Sequence, residues 1–318
     1  MPTSISKESI AMANQKYETF ITVAEQGSFK SAAALLKYTQ AGVSYLINSL
    51  EDELGVQLFI RNRSGVVLTA DGKELLPFFK DVYFAEHRLQ NRVFELKDLS
   101  CGTVRLSTFT SFFINLLPDL LKSFSQEYPN LQIDISCCDD MEELKRLVRC
   151  GEVDCGLCVL PTDPTFYTLP LFSDPLYAIM AKEHPLADKP FFPVTALGEF
   201  PYIALDNGPF NEMDNVFALH GVVPNILTST NNDYSTMALV NANFGFSIYP
   251  ELLLKNVSFP LVCKELETPA FREVAIVAAS ERSSSAAAMT FMHYTKKWID
   301  ENYRTPRKDA TVPDANHK

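Results

Sequence analysis

Apolar residues recur at helical spacing through the first hundred positions and in strand-like runs after them. Tyr17, Phe20, Ile21 and Ala24 form one stripe over residues 15–25. Gly27 ends that period, and Ser28 is placed to cap a second helix, SFKSAAALLKY. Thr39 caps a third, TQAGVSYLINSLEDELG, in which Val43, Leu46, Ile47, Leu50 and Leu54 share a face. The opposite face carries Gln40, Ala41, Ser44, Tyr45 and Asn48, all uncharged. Gly42 costs such a helix ~1 kcal/mol against alanine, and a close approach to the preceding helix or backbone would account for it. Two apolar runs in VQLFIRNRSGVVLT then flank Asn62-Arg63-Ser64-Gly65, a hairpin turn with a positive φ available at Gly65. Two short helices, a tight turn and a following hairpin predict a winged helix-turn-helix over 14–72, with Arg61 and Arg63 at the tip of the wing.

Residues 73–98 form one amphipathic stretch. Leu75, Phe79, Val82, Leu89, Val93 and Leu96 follow a heptad that only Glu86 interrupts. The pattern suits a helix paired with a second copy or one packed on its own domain, and the pairing is the reading adopted. Pro77 should bend this helix or mark its first turns. From Gly102 onward β-like runs alternate with helical periods, which predicts an α/β sheet over 102–303. The polar segment 304–318, with Pro306 and Pro313, reads as a disordered tail.

Charge sharpens this division. Of the net −11, residues 1–100 carry only −1 and residues 101–318 carry −10. Only the front of the chain can therefore face a polyanion. No apolar run reaches the ~18–20 residues of a membrane span, and MPTSISKESIAMANQK lacks the apolar core of a secretory signal. A cytoplasmic protein with no membrane partner is expected. The seven cysteines show no disulfide-scaffold spacing. Cys155 and Cys158 form a C-x-x-C, but in a strand their side chains point to opposite faces, so core packing is favoured over metal binding. Phosphate-loop, dinucleotide, zinc-hydrolase and nucleophile-elbow motifs are missing from the sequence, and its five histidines are scattered. No enzyme, metal or cofactor is expected.

The run AEQGSFKSAAALLKYTQAGVSYLINSLEDELGVQLFIRNRSGVVLTADGKELL resembles the DNA-binding domain of LysR-type transcriptional regulators. The fragments AEQGSF, SAA-x-LL, TQ-x-x-VS, LEDELG-x-x-LF and LTADG keep unbroken register over about 60 residues. Ala41 stands where the family usually has Pro, and Tyr45 where it often has a basic residue. The resemblance implies double-stranded DNA as partner. Gln40 or Asn48 would read an adenine edge, worth ~1–3 kcal/mol of discrimination. Tyr45 would pack on a thymine methyl or bond a phosphate. Ser28, Thr39 and Ser44 join these DNA-side candidates, with solvent-facing or capping roles as the alternative. Lys30, Arg61 and Arg63 would set affinity and salt dependence. The heptad matches the family's linker helix, which implies a homodimer and, through it, a homotetramer. RNA polymerase is a further partner that such a regulator would meet.

LLPDLLKSFSQEYPNLQIDI, LVRCGEVDCGLCV, HPLA and ALVNANFGFSIYPE resemble the same family's effector domain, with Asn243 at a customary glycine. The implied fold is α+β in two parts: the winged helix-turn-helix and linker helix, then two α/β lobes similar to periplasmic binding proteins. The first lobe would take about 102–171 and 272–303, the second about 172–271. Candidate effector contacts at the cleft are Thr110, Ser111, Asp140, Met141, Asn207, Thr230 and Asn231, with helix capping as the alternative. Residues 107–115, 136–141, 203–210 and 227–235 contain no Lys or Arg. A neutral, aromatic or amine-bearing small-molecule effector is therefore expected before a di-anion. Competing readings are a thiol-based redox regulator of the same fold, though the second lobe holds only Cys263, and a solute-binding protein or enzyme with no DNA role.

Overall fold

The structure, a computed structural model, describes residues 7–62, 65–95, 102–206, 213–281 and 284–303. Arg63, Leu96, Asn207 and the segment 304–318 lie outside the described residues, as does the side chain of Val93. Residues up to Asn91 make one unit, and most of the chain from Arg92 onward makes a second.

In the first unit α1 (Lys7–Gln26), α2 (Phe29–Leu36) and α3 (Gln40–Leu54) precede β1 (Phe59–Asn62), β2 (Gly65–Leu68) and α4 (Ala70–Glu95). The Ser31 N–H donates to Ser28 Oγ at 3.3 Å, and the Gly42 N–H to Thr39 Oγ1 at 3.0 Å. That second cap explains Gly42. A Cβ there would meet Thr39 Oγ1 at 3.2 Å, so the crowding comes from the capping hydroxyl rather than from the preceding helix. Phe20, Val43, Ile47, Leu50 and Leu58 form the core, with the Phe20 ring 5.3 Å from Phe59 and 4.9 Å from Phe79. Glu51 reaches from α3 to accept the Leu58 and Phe59 N–H groups at 2.7 and 3.1 Å, which fixes the root of the hairpin to the helix. Thr69 caps α4 through the Gly72 N–H at 2.9 Å. A Cβ on Gly72 would lie 2.3 Å from the Leu58 carbonyl oxygen, so only glycine lets α4 begin against the hairpin.

The heptad expectation needs correction at its start. Leu75 and Phe79 turn inward, Phe79 being buried with its ring 5.0 Å from Tyr17. The exposed apolar stripe of α4 instead contains Phe78, Val82 and Leu89, at 63, 52 and 64% exposure. Pro77 lies within the helix rather than in its first turn. A helix with one face on its own domain and another outside carries two apolar stripes, and a periodic reading merges them.

The second unit runs β3 (Gly102–Thr108), α5 (Thr110–Asn115), α6 (Leu117–Glu127), β4 (Leu131–Cys137), α7 (Met141–Cys150), β5 (Cys155–Val159) and β6 (Tyr167–Met180). It continues with α8 (Ala196–Glu199), β7 (Pro201–Leu205), α9 (Asp214–His220), β8 (Asn225–Thr230), α10 (Asp233–Asn241), β9 (Ser247–Pro250), α11 (Glu251–Leu254), β10 (Val262–Ala278) and α12 (Ala286–Asn302). Six strands form one sheet in the order β4-β3-β5-β10-β6-β9, and β7 pairs with β8 in parallel. β3 is parallel to β4 and β5, while β10 is antiparallel to β5 and β6. The long strands β6 and β10 serve two cores. Val104, Leu106, Phe124, Leu157 and Phe291 belong to one, together with Phe172 and Val274. Leu176, Tyr202, Phe217 and Phe246 belong to another, with Ala270 against it. The result is two α/β lobes joined by a pair of crossing strands. Asn243 takes φ +60°, a conformation asparagine tolerates better than most residues, so it fills the glycine's backbone role.

Candidate nucleic-acid interface and ligand cleft

Packing leaves one side of α3 to solvent. Val43, Ile47 and Leu50 are buried, whereas Gln40, Tyr45 and Asn48 are exposed, Tyr45 by 64%. Lys30 and Thr39 are exposed beside them, and Ser28 is half-buried at its cap. Arg61 does not stand at the hairpin tip. It pairs with Val66 inside the two-stranded sheet, and its Nη2 donates to Ser44 Oγ at 2.9 Å. Its guanidinium carbon lies 4.5 Å from the Phe29 ring centroid. Ser44 and Arg61 thus form a braced pair that holds a cation against the exposed side of α3. Gly65 has φ +133°, and its added Cβ would come within 2.9 Å of the Gly27 carbonyl oxygen, which accepts the Val66 N–H at 3.0 Å. The hairpin is therefore tied to the turn before α2 at one end and to Glu51 at the other.

In the second unit β3 lies between β4 and β5, and the chain leaving its carboxyl end opens a crevice there, as α/β sheets do where strand order reverses. Phe109, Thr110, Asp139 and Met141 line this cleft from one lobe, and Leu205, Asp233, Tyr249 and Leu253 from the other. Asn231, Asn232 and Tyr234 line its outer part. Asp139 accepts the Thr110 N–H at 2.7 Å and its hydroxyl at 2.6 Å. At the base Arg272 is buried with Asp174, which is fully buried: Nε donates at 2.9 Å and Nη2 at 2.8 Å. The same Nη2 donates to Ser111 Oγ at 2.8 Å, and Asp174 also accepts the Leu252 N–H at 3.0 Å. Burial pushes the Asp174 carboxyl above its ordinary range, against the pull of the Arg272 guanidinium.

Two family profiles account for this pairing of units. One described as a bacterial regulatory helix-turn-helix protein of the lysR family matches residues 15–73, and one described as a LysR substrate binding domain matches 97–300. The chain belongs to the LysR family of transcriptional regulators. LysR-type regulators bind DNA, carry an effector-binding domain and form oligomers. An uncharacterised HTH-type transcriptional regulator of Bacillus subtilis, YvbU, is 27% identical over 289 residues, 90% of this chain and 98% of that protein. Full-length OxyR from Pseudomonas aeruginosa shares the fold with a TM-score of 0.65 at 22% identity, over 90% of this chain and 94% of that one. CbnR complexed with its target DNA does so at 0.67 and 19%, over 89% and 99%.

Within this LysR-type framework the sequence-derived cleft residues separate. Thr110, Ser111, Met141 and Asn231 line the cleft. Asp140 instead caps α7, accepting the Glu142 and Glu143 N–H groups at 2.9 and 3.1 Å. Thr230 is 2.6 Å from the Thr236 hydroxyl and donates to the Asn232 carbonyl at 3.1 Å, and Asn232 is the cap of α10. Asp139, Asp233, Tyr249 and Arg272 were not among the expected contacts. Arg272 carried a signal, a lone cation between apolar residues in TPAFREVAIVAA, the mark of a buried charge with a partner. Its presence also corrects the picture of a cleft without a guanidinium. Cys155 and Cys158 are buried in β5, burial pushing the Cys158 thiol up to about 11. The thiols of Cys137, Cys138 and Cys263 are likewise raised by burial, which lowers their thiolate content. Among the described residues no helix is long and apolar enough to cross a membrane.

Proposed function

We propose that this regulator seats α3 in the major groove, with Gln40, Tyr45 and Asn48 at base edges. Ser28, Lys30, Thr39, Arg61 and Arg63 then meet the phosphates, Ser44 acting through its bond to Arg61. The observation that carries the reading is the exposed polar side of α3, flanked by a guanidinium braced from the hairpin. Two copies pair through Phe78, Val82 and Leu89 of α4, and further pairing gives a tetramer. A small molecule in the two-lobe cleft changes lobe closure and thereby DNA spacing, by population shift. RNA polymerase is the onward partner, the compartment is the cytoplasm, and the protein works by binding rather than by catalysis.

The test is DNA affinity measured at several salt concentrations on genomic fragments. Gln40→Ala should cost about 1–3 kcal/mol at the preferred site and little on unrelated sequence. Lys30→Ala should weaken binding to all sequences alike and reduce the salt slope by about one. Affinity with no salt dependence, or a Gln40→Ala variant that binds its site unchanged, would sink the assignment of α3.

A further inference from the structure

The cleft brings together two carboxylates from opposite lobes. Asp139 follows β4 in one lobe, Asp233 begins α10 in the other, and both line the inner and the outer part of the same crevice. Arg272 is the one Lys or Arg among the lining residues described, and its charge is matched by Asp174 at 2.8 Å. The crevice therefore carries a negative balance, focused between low-dielectric walls that include Phe109, Met141 and Leu253.

A second, independent feature points to a ligand. Tyr249 is fully buried and lines the inner cleft, yet its hydroxyl has no hydrogen-bond partner. Asp233 and Thr236 stand close enough to influence its acidity, and burial together with the Asp233 charge raises it far above an ordinary phenol. Thr236 is engaged with Thr230 at 2.6 Å. A buried polar atom without a partner is costly, by about 1–3 kcal/mol, and such atoms commonly face a ligand or water. The phenol oxygen can accept a hydrogen bond. So can the carboxylate of Asp139, since a carboxylate has about four acceptor sites and Thr110 uses two of them.

We propose that the effector of this regulator is a cationic amine with an apolar or aromatic body, its ammonium group held between Asp139 and Asp233 with the Tyr249 hydroxyl as a further acceptor. An ammonium has three donors and no acceptor, which complements three acceptors drawn from two lobes. Bound there, it removes the repulsion between the carboxylates and draws the lobes together. This rests on the regulator reading above and gives its ligand a chemical class.

The experiment is calorimetry on the full-length protein with matched probes: 2-phenylethylamine, 2-phenylethanol and phenylacetate, then hexylamine, hexanol and hexanoate. The amine of at least one set should bind about 10–100-fold more tightly than its neutral and anionic counterparts. Asp233→Asn and Asp139→Asn should each remove about tenfold or more of that preference, with thermal melts checking that the variants fold. Asp119→Asn, on α6 and outside the lining, should leave it intact and so controls for net charge. If neither amine outbinds its counterparts, if a carboxylate binds best, or if both cleft variants keep the full preference, the proposal is overturned. DNA binding without ligand is measured in parallel. Its loss would fail the regulator reading, whereas its presence alongside a failed amine preference would fail only this inference.

Discussion

Arg272→Ala is expected to lower the unfolding free energy by about 3–5 kcal/mol, because it strands a fully buried carboxylate. Asp174 would keep only the Leu252 N–H, and Ser111 Oγ would lose its donor. The sign of the pH dependence follows from burial. A carboxyl whose folded pKa lies above its unfolded value favours the folded state most below the unfolded pKa, and loses that contribution as pH rises through the folded one. Without the guanidinium the Asp174 carboxyl rises further, so the deficit should be largest near neutral pH and shrink in acid. Chemical denaturation at pH 7 and pH 5 checks both magnitude and direction. Arg272→Met with Asp174→Asn should recover most of the loss, since asparagine keeps an acceptor for Leu252 and no charge is left buried. A double variant as unstable as Arg272→Ala alone would show that the loss arises from packing instead. The same network touches α5 through Ser111, both crossing strands, and α11 through Leu252, so it pins the hinge on which lobe closure turns.

The first unit was legible because its signals are local. Ser28 and Thr39 cap the helices they precede, and Gly55 and Gly65 take the positive φ that a stop and a hairpin need. The buried and exposed sides of α3 follow from spacing alone. The cleft was legible only as a location. Strand ends could be placed, but whether Asp139 or Asp140 turns toward the crevice depends on which one the next helix takes as its cap. One residue of offset reverses a side chain's direction, and the α7 N–H groups claim Asp140. Arg272, Tyr249 and Asp233 come from segments distant in sequence, and they reach the cleft only because β9, β10 and α10 fold back on it. No local pattern encodes that meeting.

The largest functional effect is expected from α4. Val82→Asp combined with Leu89→Asp should convert the protein to monomers in sedimentation. Affinity for a site with two half-sites should fall by about 10²–10⁴-fold, because each winged unit then binds without a tethered neighbour. Both positions are more than half exposed, so the fold of the individual unit should be nearly unaffected, within about 0.5 kcal/mol. Affinity for a single half-site should likewise stay the same. Phe79 gives the contrast that separates the two stripes of this helix. It is buried against Tyr17 and Phe20, with ring centroids 5.0 and 4.9 Å away, so Phe79→Ala should cost about 3–5 kcal/mol of stability in the DNA-binding unit while leaving the exposed stripe in place. If the doubly charged variant still sediments as a dimer, the pairing surface lies elsewhere. If Phe79→Ala yields stable monomers, the uncorrected heptad, with Phe79 in the seam, is the right register after all.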